Sequence, residues 1–339
     1  MRRRSTIRDV AEAAAVSTVT VSRVVNDSAL VQPETRARVE RAMRELGYVP
    51  NLAAQAMRTN ATRTIGFVVP DLTNYPNAAV AKATEAVLAE AGYCLLLTNS
   101  DNRLERELKS LEVLTSRRVD GMILYVCDED DERLRQAVAD VDVPLVVLDR
   151  DLPVDCDLVL SDHDTAMAEA VRYLTALGHR RIALLSTGLR LRPPRERQRA
   201  FRAWTEACGL DPAQQSVVHA SPDASNALPM AMELLDSRPR PTALIADGSR
   251  FLRSIIQAAR IRRLDVPREL SLIGLDAADI AGSATPEVTC IVRDFAEIGR
   301  TAAELMLRRL KGDRQAPPHR VVLESSVVLK GSCAAPPSA

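Results

Sequence analysis

Hydrophobic spacing divides this chain into a short helical segment and a long segment in which strand-like and helical patterns alternate. In the first segment Ile7, Val10, Ala11 and Ala14 recur at helical intervals. Thr6, with Asp9 three residues on, reads as a capping box that starts this helix. Ala15-Val16-Ser17 breaks it, and Ser17 is a suitable N-cap for a second helix over 18–25 with Val21, Val24 and Val25 on one side. Asn26-Asp27-Ser28 ends that helix. Pro33 suits the first position of a third helix reaching Leu46, and Gly47 stops it.

From Thr64 onward the period changes. β-rich apolar runs at 65–69, 94–97, 121–124, 145–148, 182–185, 243–246, 270–274 and 291–292 alternate with amphipathic stretches near 77–91, 103–118, 131–140, 163–178, 196–208, 224–237, 249–263 and 295–311. Repeated βα units predict parallel sheets covered by helices. The runs are too many for one small sheet, so the pattern predicts an α/β body of two doubly wound lobes, of the kind seen in periplasmic binding proteins. Ligands of such sheets sit at the carboxyl ends of the strands. Residues 51–63 read as a linker with one or two helical turns, too short to hold alone. The expected division is therefore 1–49, a small all-α head; 50–63, a linker; 64–330, the body; and 331–339, a disordered tail rich in Pro and small residues.

Two short helices joined by a three-residue break, closed by a third, is the helix-turn-helix arrangement. A generic three-helix bundle is the alternative. The second helix is rich in Thr, Ser and Val, which are mediocre helix formers. Such a composition makes more sense if its outer face meets a groove. Charge agrees. Residues 1–63 carry 11 Arg or Lys against 6 Asp or Glu, leaving 34 against 39 in the remainder of a chain that is neutral overall. A basic head on a mildly acidic body suggests a polyanionic partner for the head.

Other functional classes find less support. No phosphate-loop, dinucleotide or nucleophile-elbow pattern occurs, so catalysis is not expected. The six cysteines and four histidines are scattered, with no metal-ligand spacing, and read as a reduced, metal-free complement. Neither a secretory signal nor a membrane-spanning run is visible. A cytoplasmic location and no cofactor are the expectations. Aromatic residues make up only 3% of the chain, so stacking platforms for a ligand are scarce.

Thr6-Ile7-Arg8-Asp9-Val10-Ala11, the run from Val16 to Asn26, Val31-x-Pro33-Glu34-Thr35-Arg36-x-Arg38-Val39 and Leu46-Gly47-Tyr48-x-Pro50-Asn51 together resemble the lactose/galactose-repressor (LacI/GalR) family. Landmarks in the body match as well: Arg63 to Asp71, Arg118 to Leu124, Leu177-Gly-His-Arg-Arg-Ile182 and Ser271 to Asp276. The resemblance implies a transcription regulator, most simply a repressor. It would be a homodimer, or a tetramer made of such dimers, bind a pseudo-palindromic double-stranded operator, and respond to a small-molecule effector. A solute-binding protein without a transcriptional role is the alternative.

Residue by residue, the resemblance implies that Thr18 and Val19 read base edges and that Arg23 reaches guanine. Ser17, Thr20, Ser22 and Asn26 would contact phosphates, and Thr6, Asn51 and Ala54 complete the DNA-contacting set. Val19 offers only methyl contact, and packing inside the head is its alternative role. Met57 stands where the family inserts a leucine wedge into the minor groove, a task that methionine can perform. It is otherwise an incidental linker residue. Ala15 stands where the family usually has Gly. At positive φ it would cost on the order of 1 kcal/mol.

In the body Arg197 and Asp276 occupy effector-contacting positions, with Tyr75 and Arg150 beside them. Several family groups are replaced: Asn74-Tyr75-Pro76-Asn77 stands for Asn-Pro-Phe-Phe, Gly248-Ser249 for Asn-Asp, and Pro222 for an aromatic residue. The arginine-rich run Arg190 to Arg199 fits an anionic effector, such as a phosphorylated metabolite or a carboxylate. For every arginine of the run except Arg197, a solvated loop and helix face is the simpler alternative. A cleft that no longer binds a ligand is the third reading.

Overall fold

The computed structural model describes residues 5–25, 30–49, 61–188, 190–312 and 316–337. The chain divides into two compact units, Met1–Arg63 and Thr64–Ala339.

The smaller unit contains helices α1 (Ile7–Ala13), α2 (Thr18–Val25) and α3 (Pro33–Glu45). The capping box at its start is formed: the Thr6 amide donates to Asp9 Oδ2 at 2.7 Å and the Asp9 amide to Thr6 Oγ1 at 3.4 Å. Helix α1 closes with Ala15 at φ 51°. The Ala15 amide donates to Glu12 O and the Val16 amide to Ala11 O. This pair of bonds is the Schellman arrangement, which normally places glycine at the left-handed position. Ser17 Oγ then accepts the Thr20 amide at 3.1 Å and opens α2. Val10, Ala14, Val21, Val24 and Val39 pack into one core, so the apolar stripe of each helix faces the other two.

The larger unit holds two six-stranded sheets. The first runs β11-β5-β4-β3-β1-β2, with β1 (Thr64–Val69), β2 (Cys94–Asn99), β3 (Gly121–Leu124), β4 (Leu145–Leu148), β5 (Asp157–Ser161) and β11 (Arg320–Leu323). The second runs β12-β10-β9-β8-β6-β7, with β6 (Ile182–Thr187), β7 (Ser216–Ala220), β8 (Ala243–Asp247), β9 (Ser271–Leu275), β10 (Thr289–Arg293) and β12 (Ser325–Val328). All neighbours are parallel except β10 and β12. The two orders correspond strand for strand, so each lobe repeats the other. The chain crosses between lobes after β5, after β10 and between β11 and β12. Burial on both sheet faces explains the continuous apolar runs of the inner strands.

Eight helices of 8 to 16 residues, and one of 4, cover these sheets among the described residues: Tyr75–Glu90, Leu104–Ser116, Glu132–Ala139, Asp164–Ala176, Arg192–Ala207, Ala227–Asp236, Ser249–Ile261, Ala278–Ala281 and Phe295–Leu310. Tyr75–Glu90 and Phe295–Leu310 approach most closely at Gly299. A Cβ there would lie 2.5 Å from Val80 O and 2.9 Å from Thr84 N.

Three features differ from the sequence expectation. Strands β5, β7, β11 and β12 carry no long apolar run: β7, β11 and β12 are partly exposed, and β5 opens with the charged Asp157. The helix expected from 196 begins at Arg192, because Pro193 and Pro194 fall in its first turn, where an amide has no helical acceptor in any case. The segment expected as a disordered tail is built into the second lobe through residue 337. Ser332 is fully buried and donates to Leu272 O at 2.6 Å, and Ala334 O lies 2.9 Å from His179 Nε2. Small residues there fit against the lower end of the second sheet and make bonds that larger ones would block.

Candidate functional site

The first candidate surface is the outer face of α2. Val21 and Val24 point into the core, so helical geometry turns Val19 and Arg23 the other way and leaves Thr18 at the margin of that outer face. All three are exposed, and Val19 is 58% exposed. The interior-packing role for Val19 is therefore excluded within the head. Thr20 and Ser22 are half-buried, and Ser17 is exposed while capping the helix. The Thr6 hydroxyl donates to Asp9 Oδ2 at 2.8 Å and belongs to the cap of α1. Asn26, Asn51, Ala54 and Met57 lie outside the described residues.

The second candidate is the region between the lobes, at the carboxyl ends of the strands. Asp149 follows β4, and Asp276 follows β9, its counterpart in the other lobe. Both are 5% exposed and both have φ 52°. A non-glycine residue held in the left-handed region is strained, and such strain concentrates at functional sites. The last residue of β10, Arg293, grips both. Its Nη1 donates to Asp149 Oδ2 at 2.7 Å and its Nη2 to Asp276 Oδ2 at 2.6 Å. Nη1 also donates to Ser161 Oγ at 2.9 Å, at the end of the equivalent strand β5.

Further arginines complete the network. Arg197 donates to Asp247 Oδ1 at 2.5 Å and to Asp276 Oδ2 at 2.7 Å, all within the second lobe. Arg192 reaches across to Asp149 Oδ1 at 2.9 Å. Arg195 bridges to Glu129 Oε2 at 3.0 Å and Asp151 Oδ2 at 2.6 Å, and the Arg192 amide donates to Glu129 Oε1 at 2.8 Å. On the other side of the cleft Arg250 pairs with Asp71. Within the arginine-rich run Arg190, Arg195 and Arg199 are exposed, whereas Arg192 and Arg197 are withdrawn from solvent; Arg192, Arg195 and Arg197 are engaged by carboxylates.

Electrostatics follow from this geometry. Burial would raise the Asp149 pKa, but His163, Arg293 and Arg192 reverse this and hold it well below the usual carboxylate range. Asp276 behaves alike: burial opposes, and Arg293 and Arg197 pull its pKa down. His163 lies with Nε2 3.3 Å from Asp149 Oδ2. Burial, which disfavours the imidazolium, outweighs that carboxylate and lowers the His163 pKa. The neutral ring accepts a bond from Arg197 Nε at Nδ1, 3.3 Å away.

Of the four effector positions expected from sequence, Arg197 and Asp276 are in direct contact. Tyr75 is 46% exposed and stands edge-on to Phe295, with centroids 5.9 Å apart, while Arg293 covers the same Phe295 ring at 5.3 Å. Arg150 turns toward Val126 O at 2.6 Å and Asp149 O at 2.9 Å, over the Tyr125 ring. Sequence reasoning missed Asp149, His163, Asp247, Glu129 and Arg293, and singled out Arg192 only as part of the arginine-rich run. A signal existed: charged residues that end apolar runs in a doubly wound pattern cluster at one edge once the sheets form. Among the described residues no group of His, Cys, Asp and Glu is placed to hold a metal. Nor is any helix long and apolar enough to cross a membrane.

Comparison with known proteins fits both sites. Residues 6–51 match the family of bacterial regulatory proteins, lacI family, and residues 171–333 match a periplasmic binding protein-like domain. The HTH-type transcriptional regulator DegA of Bacillus subtilis (strain 168) is 31% identical over 97% of this chain and 98% of its own length. The ribose operon repressor of Escherichia coli (strain K12) is 31% identical over 90% of this chain and 93% of its own. The solved structure of the lac repressor dimer bound to operator and the anti-inducer ONPF superposes with a TM-score of 0.88. It has 26% identity and covers 98% of this chain and 100% of that one. The transcriptional regulator CelR in complex with cellobiose superposes with a TM-score of 0.72, at 29% identity and 97% and 100% coverage. With a helix-turn-helix head that matches over its length and a two-lobed body that matches across both sheets, the chain belongs to the lacI family of bacterial transcriptional regulators, carrying a DNA-binding domain and an effector-binding domain.

Proposed function

We propose that this regulator is a repressor that grips a pseudo-palindromic operator as a homodimer, each head laying α2 in the major groove. A two-fold dimer matches a two-fold operator. Thr18, Val19 and Arg23 face base edges. Val19 contacts a thymine methyl, and the Arg23 guanidinium reads guanine O6 and N7. Ser17, Thr20, Ser22 and Asn26 hold phosphates, Thr6, Asn51 and Ala54 contribute at the margins, and Met57 serves as the minor-groove wedge. The observation that carries this reading is the exposed apolar Val19, flanked by Thr18 and Arg23 on a helix whose opposite face is fully used by the core.

An effector between the lobes, contacting Arg197, Asp276, Arg150 and Tyr75, alters lobe geometry and through it operator affinity. The relatives' names span ribose and, in CelR, cellobiose. This cleft has few aromatic faces and many charges, so its effector differs in chemistry from a plain sugar.

The test is selection of duplexes from a random pool by the full chain, then fluorescence anisotropy on a recovered duplex across a salt series. Affinity should fall steeply with salt, with a log–log slope of about −0.9 per neutralised phosphate. Arg23→Ala should weaken binding by about 1–3 kcal/mol and relax one base position. Recovery of no preferred sequence would leave a solute-binding protein without a transcriptional role.

A further inference from the structure

Resting on the effector-regulated reading above, we infer that the effector carries an oxyanion, phosphate or carboxylate, and that Arg150 receives it. Two buried guanidiniums, Arg150 and Arg197, and two largely buried ones, Arg192 and Arg293, border the cleft among the described residues. Arg192, Arg197 and Arg293 each touch one or two carboxylates. Arg150, only 5% exposed, forms no ion pair with a described residue.

Its donors are unevenly used. Nε donates to Val126 O and Nη1 to Asp149 O, both neutral carbonyls. Neither hydrogen of Nη2 has an acceptor among the described residues. Nη2 is also absent from the sealed polar atoms that lack a partner, which among the described residues are Thr98 Oγ1, His163 Nε2 and Ser325 Oγ. It therefore opens onto solvent-accessible space. A guanidinium edge that no protein acceptor uses is a fork for two oxygens of one oxyanion.

Location and energetics agree. Arg150 is the second residue beyond β4, at the strand end where doubly wound sheets bind ligands. A buried cation without a contacting counter-ion is costly. Burial lowers the Arg150 pKa despite the more distant Asp149 and Glu129. Glu107 is only partly ionised at neutral pH, since burial pushes its carboxyl up to about 7 against the hydrogen bonds from Cys127. The Tyr125 ring at 5.6 Å gives partial compensation, and a ligand anion supplies the rest.

The experiment uses the full chain at constant ionic strength. Inorganic phosphate, succinate and glucose are titrated separately, followed by calorimetry and by the fluorescence of Trp204, the one tryptophan in the sequence. Its helix begins at Arg192. A saturable response to phosphate, succinate or both is expected, with Kd on the order of 1 mM for such small probes. Which anion binds more tightly identifies the oxyanion class. Glucose should give no response. Arg150→Gln should weaken anion binding at least about tenfold, one factor of ten being about 1.4 kcal/mol. Arg150→Lys should recover part of it, and the exposed Arg260→Gln should leave it unchanged. Circular dichroism confirms that each variant is folded. The inference is overturned by silence toward both anions, by saturation with glucose instead, or by a folded Arg150→Gln that binds anions as tightly as the parent. Loss of operator selection with anion binding intact would overturn the regulator reading and leave this site standing.

Discussion

Replacing Arg293 with methionine should destabilise the two-lobed body by about 3 kcal/mol, the lower end of the range for breaking a buried ion pair. The lower end applies because neither orphaned carboxylate is left without a cation. Asp149 keeps Arg192 at 2.9 Å, and Asp276 keeps Arg197 at 2.7 Å. Methionine matches the length of the aliphatic stem and preserves packing on Phe295, so the loss is chiefly electrostatic. For a body of this size, 3 kcal/mol corresponds to a fall in Tm of roughly 6 °C.

The loss should also depend on pH in a definite sense. Asp149 and Asp276 have folded-state pKa values below their unfolded values. Their contribution is fully present above the unfolded pKa of about 3.9 and disappears as pH falls through the folded values. Arg293→Met removes part of that lowering, so the gap between parent and variant should be widest near pH 7 and narrow below about pH 4. Urea unfolding at pH 7, 5 and 3.5, followed by far-ultraviolet circular dichroism, measures it. A difference under about 0.5 kcal/mol at pH 7 would place Arg293 among surface-like substitutions and refute the claim that it joins two buried carboxylates.

Two further substitutions test the backbone arguments. Ala15→Gly should stabilise the head by about 0.5–1 kcal/mol, since glycine occupies the left-handed position without the Cβ penalty but gives back part of the gain in the unfolded chain; thermal unfolding of the full chain, monitored by amide exchange within α1 and α2, reads it. Gly299→Ala should destabilise the first lobe by about 1–3 kcal/mol, because the new Cβ meets Val80 O and Thr84 N, which move only with their helix; an unchanged unfolding midpoint would show that the two helices separate without cost.

The head was almost wholly legible from sequence because its signals are local. Thr6 with Asp9, Ser17 before Thr18 and Pro33 at a helix start each act within one turn, and the structure uses all three. The body was legible wherever strands are buried on both faces. It was not legible at the sheet margins, where β11 and β12 have four residues each and alternate in exposure. Nor could local pattern reveal that Ser332 and Ala334 bond to Leu272 and Ser271, some sixty residues earlier. The site divides the same way. Arg197 and Asp276 were accessible through family resemblance, whereas Arg293 belongs to a pair of aspartates 127 residues apart that become neighbours only when both lobes form.

That pair bears on how the body switches. Asp149 and Asp276 stand at equivalent places in the two repeats, with the same backbone strain and one arginine between them. The protein itself thus supplies the opposite charges that join the two lobes. The contacts that cross between lobes differ in weight. Arg195 with Asp151 is about half exposed on each side, so it contributes little. Arg192 and Arg293 with Asp149 are largely withdrawn from solvent and carry more weight. Moving a two-state equilibrium from 1:99 to 99:1 takes about 5.5 kcal/mol of differential binding. Under the anion-site proposal, a ligand at Arg150 would act on this cluster directly, because Arg150 Nη1 donates to the Asp149 carbonyl.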